Sequence, residues 1–245
     1  MKPYYKAVRP DKTSHFDHTT EWRSGRIVRP DKVDPGGGVC GHGIHCSPTL
    51  RCAVLWQDGP SIYCEVEPVN IVAKSATKAR CEAVRVLRWL SPDEQDEMAG
   101  FALWEVNHPV NPFAIKPKPI DLEPLLIDWA GVVGSMRWSP TLSVRTTLGG
   151  IYTSRLWSSV SSTVLSSVQH CVLSNMGDAV RLSLIDALYA YIGSLFYNIR
   201  HWYYTDIYDP WCSLRELWVS GYVPSFDGKT WRLRCGPDAD VVLEI

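Results

Sequence analysis

The sequence predicts an α+β protein: a β-rich mixed N-terminal domain, then a mostly helical tetrad-repeat region, then a C-terminal β-hairpin. Three observations predict it. Residues 1–72 are rich in Gly, Pro and His and carry only short apolar alternations, the texture of strands and loops. No proline interrupts 141–209, where an apolar residue recurs at every fourth position. Near the C-terminus, Asp227-Gly228 stands between two short apolar runs, a strong local signal for a hairpin turn.

Taken in order, Val8-Arg9-Pro10-Asp11-Lys12 returns as Val28-Arg29-Pro30-Asp31-Lys32, which suits two similar strand ends running into Pro-Asp turns. Pro48 opens a turn or a helix over Thr49–Trp56. Ile62-Tyr63-Cys64-Glu65-Val66-Glu67 alternates as a half-buried strand, which Pro68 is expected to close. Val84-Arg85-Val86 begins a second strand that reaches Leu90. Ser91-Pro92-Asp93-Glu94 is a helix start: Ser91 accepts from orphan amides, Pro92 lacks an N–H where none is needed, and Glu94 completes a capping box. That helix is expected to run to about Glu105. Pro109, Pro112, Pro117 and Pro119 then exclude a continuous helix or an interior strand. The predicted organisation is a mixed domain over 1–107, a Pro-rich linker over 108–119 and a mostly helical domain over 120–245.

The tetrad stretch runs from Val144 through Leu148, Tyr152, Leu156 and every fourth residue to Phe196. On one straight helix a period of four drifts by about 40° per repeat, so the stripe would wind around the axis. Either helices break near Gly149-Gly150 and Gly177, or a square β-solenoid takes one tetrad per side. Leu184, Leu188, Ile192 and Phe196, joined by Ile185, Leu195 and Ile199, favour helices; the Ser, Thr and Val of 158–168 favour strands. The small residues beside the tetrad positions also suit close approach between copies of the chain, hence a possible homo-oligomer. A short helix near Leu214–Val219 ends at Gly221, and Trp202, Trp211, Trp218 and Trp231 suit a satellite aromatic core.

Composition excludes several classes. With 45% apolar and 21% charged residues in 245, the chain is not disordered. A net charge of −1 argues against bulk-charge nucleic-acid binding. The N-terminus has no apolar leader pattern, so the expected compartment is the cytoplasm, where the eight cysteines serve mainly as small buried apolar groups. Leu156–Gly177 lacks charge but is too rich in serine to favour a membrane. His170, beside Cys171, has no carboxylate within four residues to orient it as a base.

The densest chemistry is Cys40-Gly41-His42-Gly43-Ile44-His45-Cys46-Ser47-Pro48, preceded by three glycines. Cys40, His42, His45, Cys46 and Cys52 are competent zinc ligands, although their spacing matches no closed zinc pattern. A purely structural role is open as well, in which the glycines permit close backbone approach and Ile44 and Cys46 turn inward. The third reading is a nucleotide pocket.

From Gly41 to Ser47, through a helix containing Ala53, to Ile62–Glu67, the pattern resembles the centre of the ADP-ribosyltransferase fold. That resemblance implies His45 at the nicotinamide-stacking position, with Gly43 in the preceding turn. The toxin-like branch implies Arg9, Ser47 and the pair Glu65/Glu67 as its Arg, Ser and Glu-x-Glu elements. A carboxylate at Glu65 or Glu67 would stabilise an oxocarbenium-like state during NAD cleavage, and Arg9 would hold the pyrophosphate. The polymerase branch's His-Gly pair on the first strand has no counterpart here, so a binding-only version is equally consistent. Tyr5–Asp11 with Cys40–Thr49, and Val223-Pro224-Ser225-Phe226-Asp227-Gly228-Lys229-Thr230-Trp231-Arg232-Leu233, are similar to an uncharacterised family of phage and bacterial proteins. The expectation is a non-catalytic phage or bacterial accessory protein that binds a nucleotide or protein partner through its N-terminal domain. The alternative is an ADP-ribosyltransferase-like enzyme using NAD, with His45, Glu65 and Glu67 catalytic and Arg9, Ser47 and Gly43 holding the cofactor.

Overall fold

The computed structural model describes residues 2–245 apart from 58, 166–175, 200, 204–206 and 208. Helices and antiparallel sheets are both present, and the chain divides into two compact units, Met1–Asn107 and His108–Ile245.

The first unit contains β1 (Tyr4–Val8), β2 (Ile27–Val28), β3 (Ile44–Cys46), α1 (Leu50–Leu55), β4 (Ile62–Lys74), β5 (Ala79–Trp89), α2 (Pro92–Ala99) and α3 (Leu103–Asn107). Strand order is β1-β4-β5-β2, with β3 also paired to β5. Just past β3, Ser47 and Tyr5 of β1 exchange both backbone hydrogen bonds, at 2.8 and 2.9 Å. The pairings therefore run β1–β4–β5–β3 and back to β1, and the sheet closes on itself. Closure requires strands that bend. Register shifts between Glu65 and Val66, and between Ile71 and Ala73, supply bulges at which β4 does so.

The enclosed face collects Val8, Trp22, Val28, Cys46, Cys64, Val66, Cys81, Val84 and Val86. Val8 and Val28, the last residues of β1 and β2, are both buried, so the repeated Val-Arg-Pro-Asp-Lys marks a buried strand end twice; a turn follows at Pro10-Asp11, but only a bend at Asp31. Tyr5, Ala7 and Tyr63 face the other way and are buried, as are Leu50, Ala53 and Val54 of α1.

Two boundaries differ from expectation. β4 continues through Pro68, which lies past Tyr4↔Val66, the last β1 pair; among the described residues β4 there pairs only with β5. A missing N–H is tolerated on such an edge. The capping box at Ser91 and Glu94 is complete, but α2 stops at Ala99. Gly100 adopts φ 75 and returns its N–H to the Asp96 carbonyl, which ends the helix well before Glu105.

The second unit contains α4 (Leu122–Ser135), α5 (Pro140–Leu148), α6 (Gly150–Leu165), α7 (Asp178–Ser194), α8 (Cys212–Val219), β6 (Val223–Phe226), β7 (Trp231–Cys235) and β8 (Asp240–Glu244). The described part of 144–196 is largely helical. Gly149 caps α5 at φ 78 and Gly177 caps the start of α7. Val144, Leu156, Val160, Val164, Leu188 and Ile192 are buried on these helices. Val168, His170, Cys171 and Val172 lie outside the described residues. β6 and β7 form the hairpin around Asp227-Gly228, and β8 adds a third antiparallel strand. Trp211 meets Trp202 edge-on at 5.5 Å, while Tyr191 stacks on Trp218 at 4.8 Å.

The proline-rich run read as a linker is built into this unit. Lys118 N donates to the Ser220 carbonyl (2.9 Å), Tyr222 Oη to the Lys118 carbonyl (3.0 Å) and Trp218 Nε1 to the Val110 carbonyl (2.9 Å). Gly221 has φ +92, and a Cβ there would lie 3.1 Å from Pro117 Cα. Among the described residues, no helix is long and apolar enough to cross a membrane.

Candidate functional site

The Gly-His segment is organised by a residue that sequence reasoning did not single out. Arg80 of β5 is fully buried, and its guanidinium lies in the neck of the 34–43 loop. Nη1 donates to the carbonyls of Asp34 (2.9 Å) and His42 (3.1 Å), and Nη2 donates to that of Gly36 (2.9 Å). The loop is clasped above it. His42 N donates to Asp34 Oδ2 at 2.7 Å and His42 Nδ1 stands 3.1 Å from the same oxygen. These bonds hold the Asp34 carboxyl below its ordinary range.

The glycines serve this packing. A Cβ on Gly41 would fall 2.7 Å from Arg80 Nη1, and one on Gly43 would fall 2.8 Å from Arg80 Cγ, at φ +148. Only glycine lets the loop close on the guanidinium. Gly43 is thus pressed against protein, not presented to a ligand.

Strand pairing sets what surrounds Arg80. His45 is its register partner on β3, and Lys78 precedes it by two residues, the spacing that returns to one face of an extended chain. His45 Nε2 lies 2.7 Å from the Val39 carbonyl. Burial lowers the imidazole pKa to about 4, and the nearby Lys78 ammonium pushes in the same direction. At neutral pH the ring is uncharged, so Nε2–H donates to Val39. Lys78 is 8% exposed; its ammonium lies 4.3 Å from the centre of the Trp56 ring and donates to Cys40 Sγ at 3.4 Å. Among the described residues no carboxylate pairs with Lys78 or Arg80, and Arg80 Nε has no partner. Two buried cations, neither ion-paired with a carboxylate, are an unusual concentration of positive charge.

The remaining predicted residues are engaged elsewhere. Arg9 turns back on its own turn, 3.4 Å from both Asp11 Oδ2 and Thr13 Oγ1. Glu65 receives two bonds from Arg88, from Nε and Nη2 at 3.0 Å each, and Arg88 also reaches Glu94. Glu67 pairs with Arg85 at 3.6 Å. Ser47 is buried, its backbone used to close the sheet. Across the strands Ser47, Tyr5, Glu65 and Arg88 form one row, which places buried Tyr5 between Ser47 and Glu65.

The zinc-competent residues are likewise dispersed. Cys46 Sγ faces Cys81 Sγ in the core at 3.7 Å, while Cys40 faces Lys78. Among the described residues, no group of three or more His, Cys, Asp or Glu is gathered as a metal site. Lys78 and Arg80 carried a weak signal at best, since Lys78-Ala79-Arg80-Cys81 alternates like any strand with a solvated face. Comparisons with protein-family models, curated proteins and solved structures found no match.

Proposed function

We propose that the chain is a non-catalytic accessory protein, of the phage or bacterial kind its N-terminal pattern resembles, whose first unit binds a phosphate-bearing partner, a nucleotide foremost. The observation that carries this reading is the pair Lys78 and Arg80, buried beside uncharged His45 and in no ion pair with a carboxylate among the described residues. An anion drawn to that face would supply the missing charge, and Trp56 beside Lys78 offers an aromatic surface for a base. The ion pairs at Glu65, Glu67 and Arg9 support binding over turnover, because a carboxylate held by two arginine bonds is not poised to stabilise an oxocarbenium ion.

Calorimetric titration of the full chain with ADP, NAD and inorganic phosphate tests this. Saturable binding that weakens with salt and is lost in Lys78→Gln is expected; a flat titration with all three ligands overturns the reading. In parallel, nicotinamide release from NAD that disappears in Glu67→Gln would favour the transferase alternative instead. Self-association through the helical unit belongs to the same proposal, and light scattering that finds a strict monomer at high concentration removes it.

A further inference from the structure

We infer that Cys40 is a site of reversible oxidation directed by Lys78. This inference does not rest on the nucleotide reading. Cys40 is exposed, whereas Cys46, Cys64 and Cys81 are buried in the first unit's core. Its sulfur is the only hydrogen-bond acceptor of the Lys78 ammonium among the described residues, at 3.4 Å. The lysine is fixed from several sides. Its side chain lies against Trp56, and its backbone closes the β4–β5 turn, with the Ser75 N–H donating to the Lys78 carbonyl at 2.8 Å and Lys78 N donating to Ser75 Oγ at 3.1 Å. A buried ammonium whose one hydrogen-bond acceptor among the described residues is a cysteine sulfur is poorly satisfied. An oxygen on that sulfur would give it a far better acceptor.

The step is the transfer of one oxygen from a hydroperoxide. The sulfur of Cys40 attacks the O–O bond of hydrogen peroxide, an S–O bond forms, and the O–O bond breaks. The departing hydroxide leaves as water after taking the thiol proton. Sulfur is oxidised by two electrons and the peroxide is reduced, so Cys–SH and HOOH become Cys–SOH and HOH. Lys78 stabilises the negative charge that develops on the departing oxygen, and then holds the sulfenate in a charge-assisted bond. A small thiol reverses the modification by forming a mixed disulfide and releasing water.

The test exposes the full chain to dilute hydrogen peroxide without nucleotide, traps sulfenic acid with a 1,3-dione reagent and maps the adduct by peptide mass spectrometry. Cys212, exposed in the second unit, is the internal reference. We expect Cys40 to be labelled at least about tenfold faster than Cys212, consistent with an ion pair near a protein surface. Lys78→Gln should bring it down to the Cys212 rate, and Lys78→Arg should restore most of the difference. Because Lys78 is buried, circular dichroism of each variant accompanies the rates. Should Lys78→Gln unfold, the wild-type ratio and the Lys78→Arg ratio still decide. Equal labelling of Cys40 and Cys212 in the wild-type chain overturns the inference, as does a rate at Cys40 that folded Lys78→Gln leaves unchanged. Neither result bears on nucleotide titration, so the two proposals fail separately.

Discussion

His45 shows how one side chain couples the first unit to pH. Its folded-state pKa of about 4 lies below the ordinary 6.5, because the ring is partly desolvated and faces the charges of Lys78, Lys6 and Arg80. Between those values the unfolded chain binds more protons than the folded one, so stability rises with pH across that window. The contribution is fully present above 6.5 and is lost as pH falls through about 4. We predict that the urea midpoint of the first unit drops from about pH 7 to about pH 4.5, and that His45→Gln, whose amide can still donate to Val39, shows a smaller drop. An equal drop in both proteins would move the effect to other groups. At this scale the sequence was informative for glycine and blind for arginine. Gly41 and Gly43 announced a close approach, but nothing in the order of residues said that the approaching group was Arg80. A charged side chain alternating along a strand ordinarily faces water, and its burial is decided by a loop that begins far away in the chain.

Elements were legible where their signals are local. The Ser91–Glu94 box is complete within one helical turn, and both of its reciprocal bonds are present. Removing the Ser91 hydroxyl leaves Glu94 N without its acceptor. Ser91→Ala should therefore lower the first unit's unfolding free energy by about 1 kcal/mol, whereas Ser91→Asp should keep most of it; paired denaturant titrations read both. The hairpin at Asp227-Gly228 was visible for the same reason, since the Asp227 carboxylate accepts from Lys229 N and Thr230 N inside the turn itself. What escaped was decided by neighbours. Pro68 should break a central strand and does not, because β1 has ended before it is reached. The closure of the sheet rests on Ser47 meeting Tyr5, two residues with no shared pattern in sequence.

For the whole molecule, the proline run shows that a composition shift can mark a boundary without marking a tether. Residues 108–119 lack regular structure, as four prolines dictate, yet they satisfy groups of the second unit that would otherwise be orphaned. Trp218 Nε1, 1% exposed as a residue, donates to the Val110 carbonyl; Tyr222 Oη donates to the Lys118 carbonyl; and the Ser220 carbonyl accepts from Lys118 N. Removing the run would strand these groups and uncover the backbone of Gly221, which now lies against Pro117. Each buried polar group left without a partner costs about 1–3 kcal/mol. A fragment beginning at residue 120 should consequently be less stable than one beginning at 108 by several kcal/mol, with a lower melting temperature and a more water-exposed Trp218 fluorescence. A flexible linker would contribute nothing to either quantity, so equal melting of the two fragments would return 108–119 to the role its prolines first suggested.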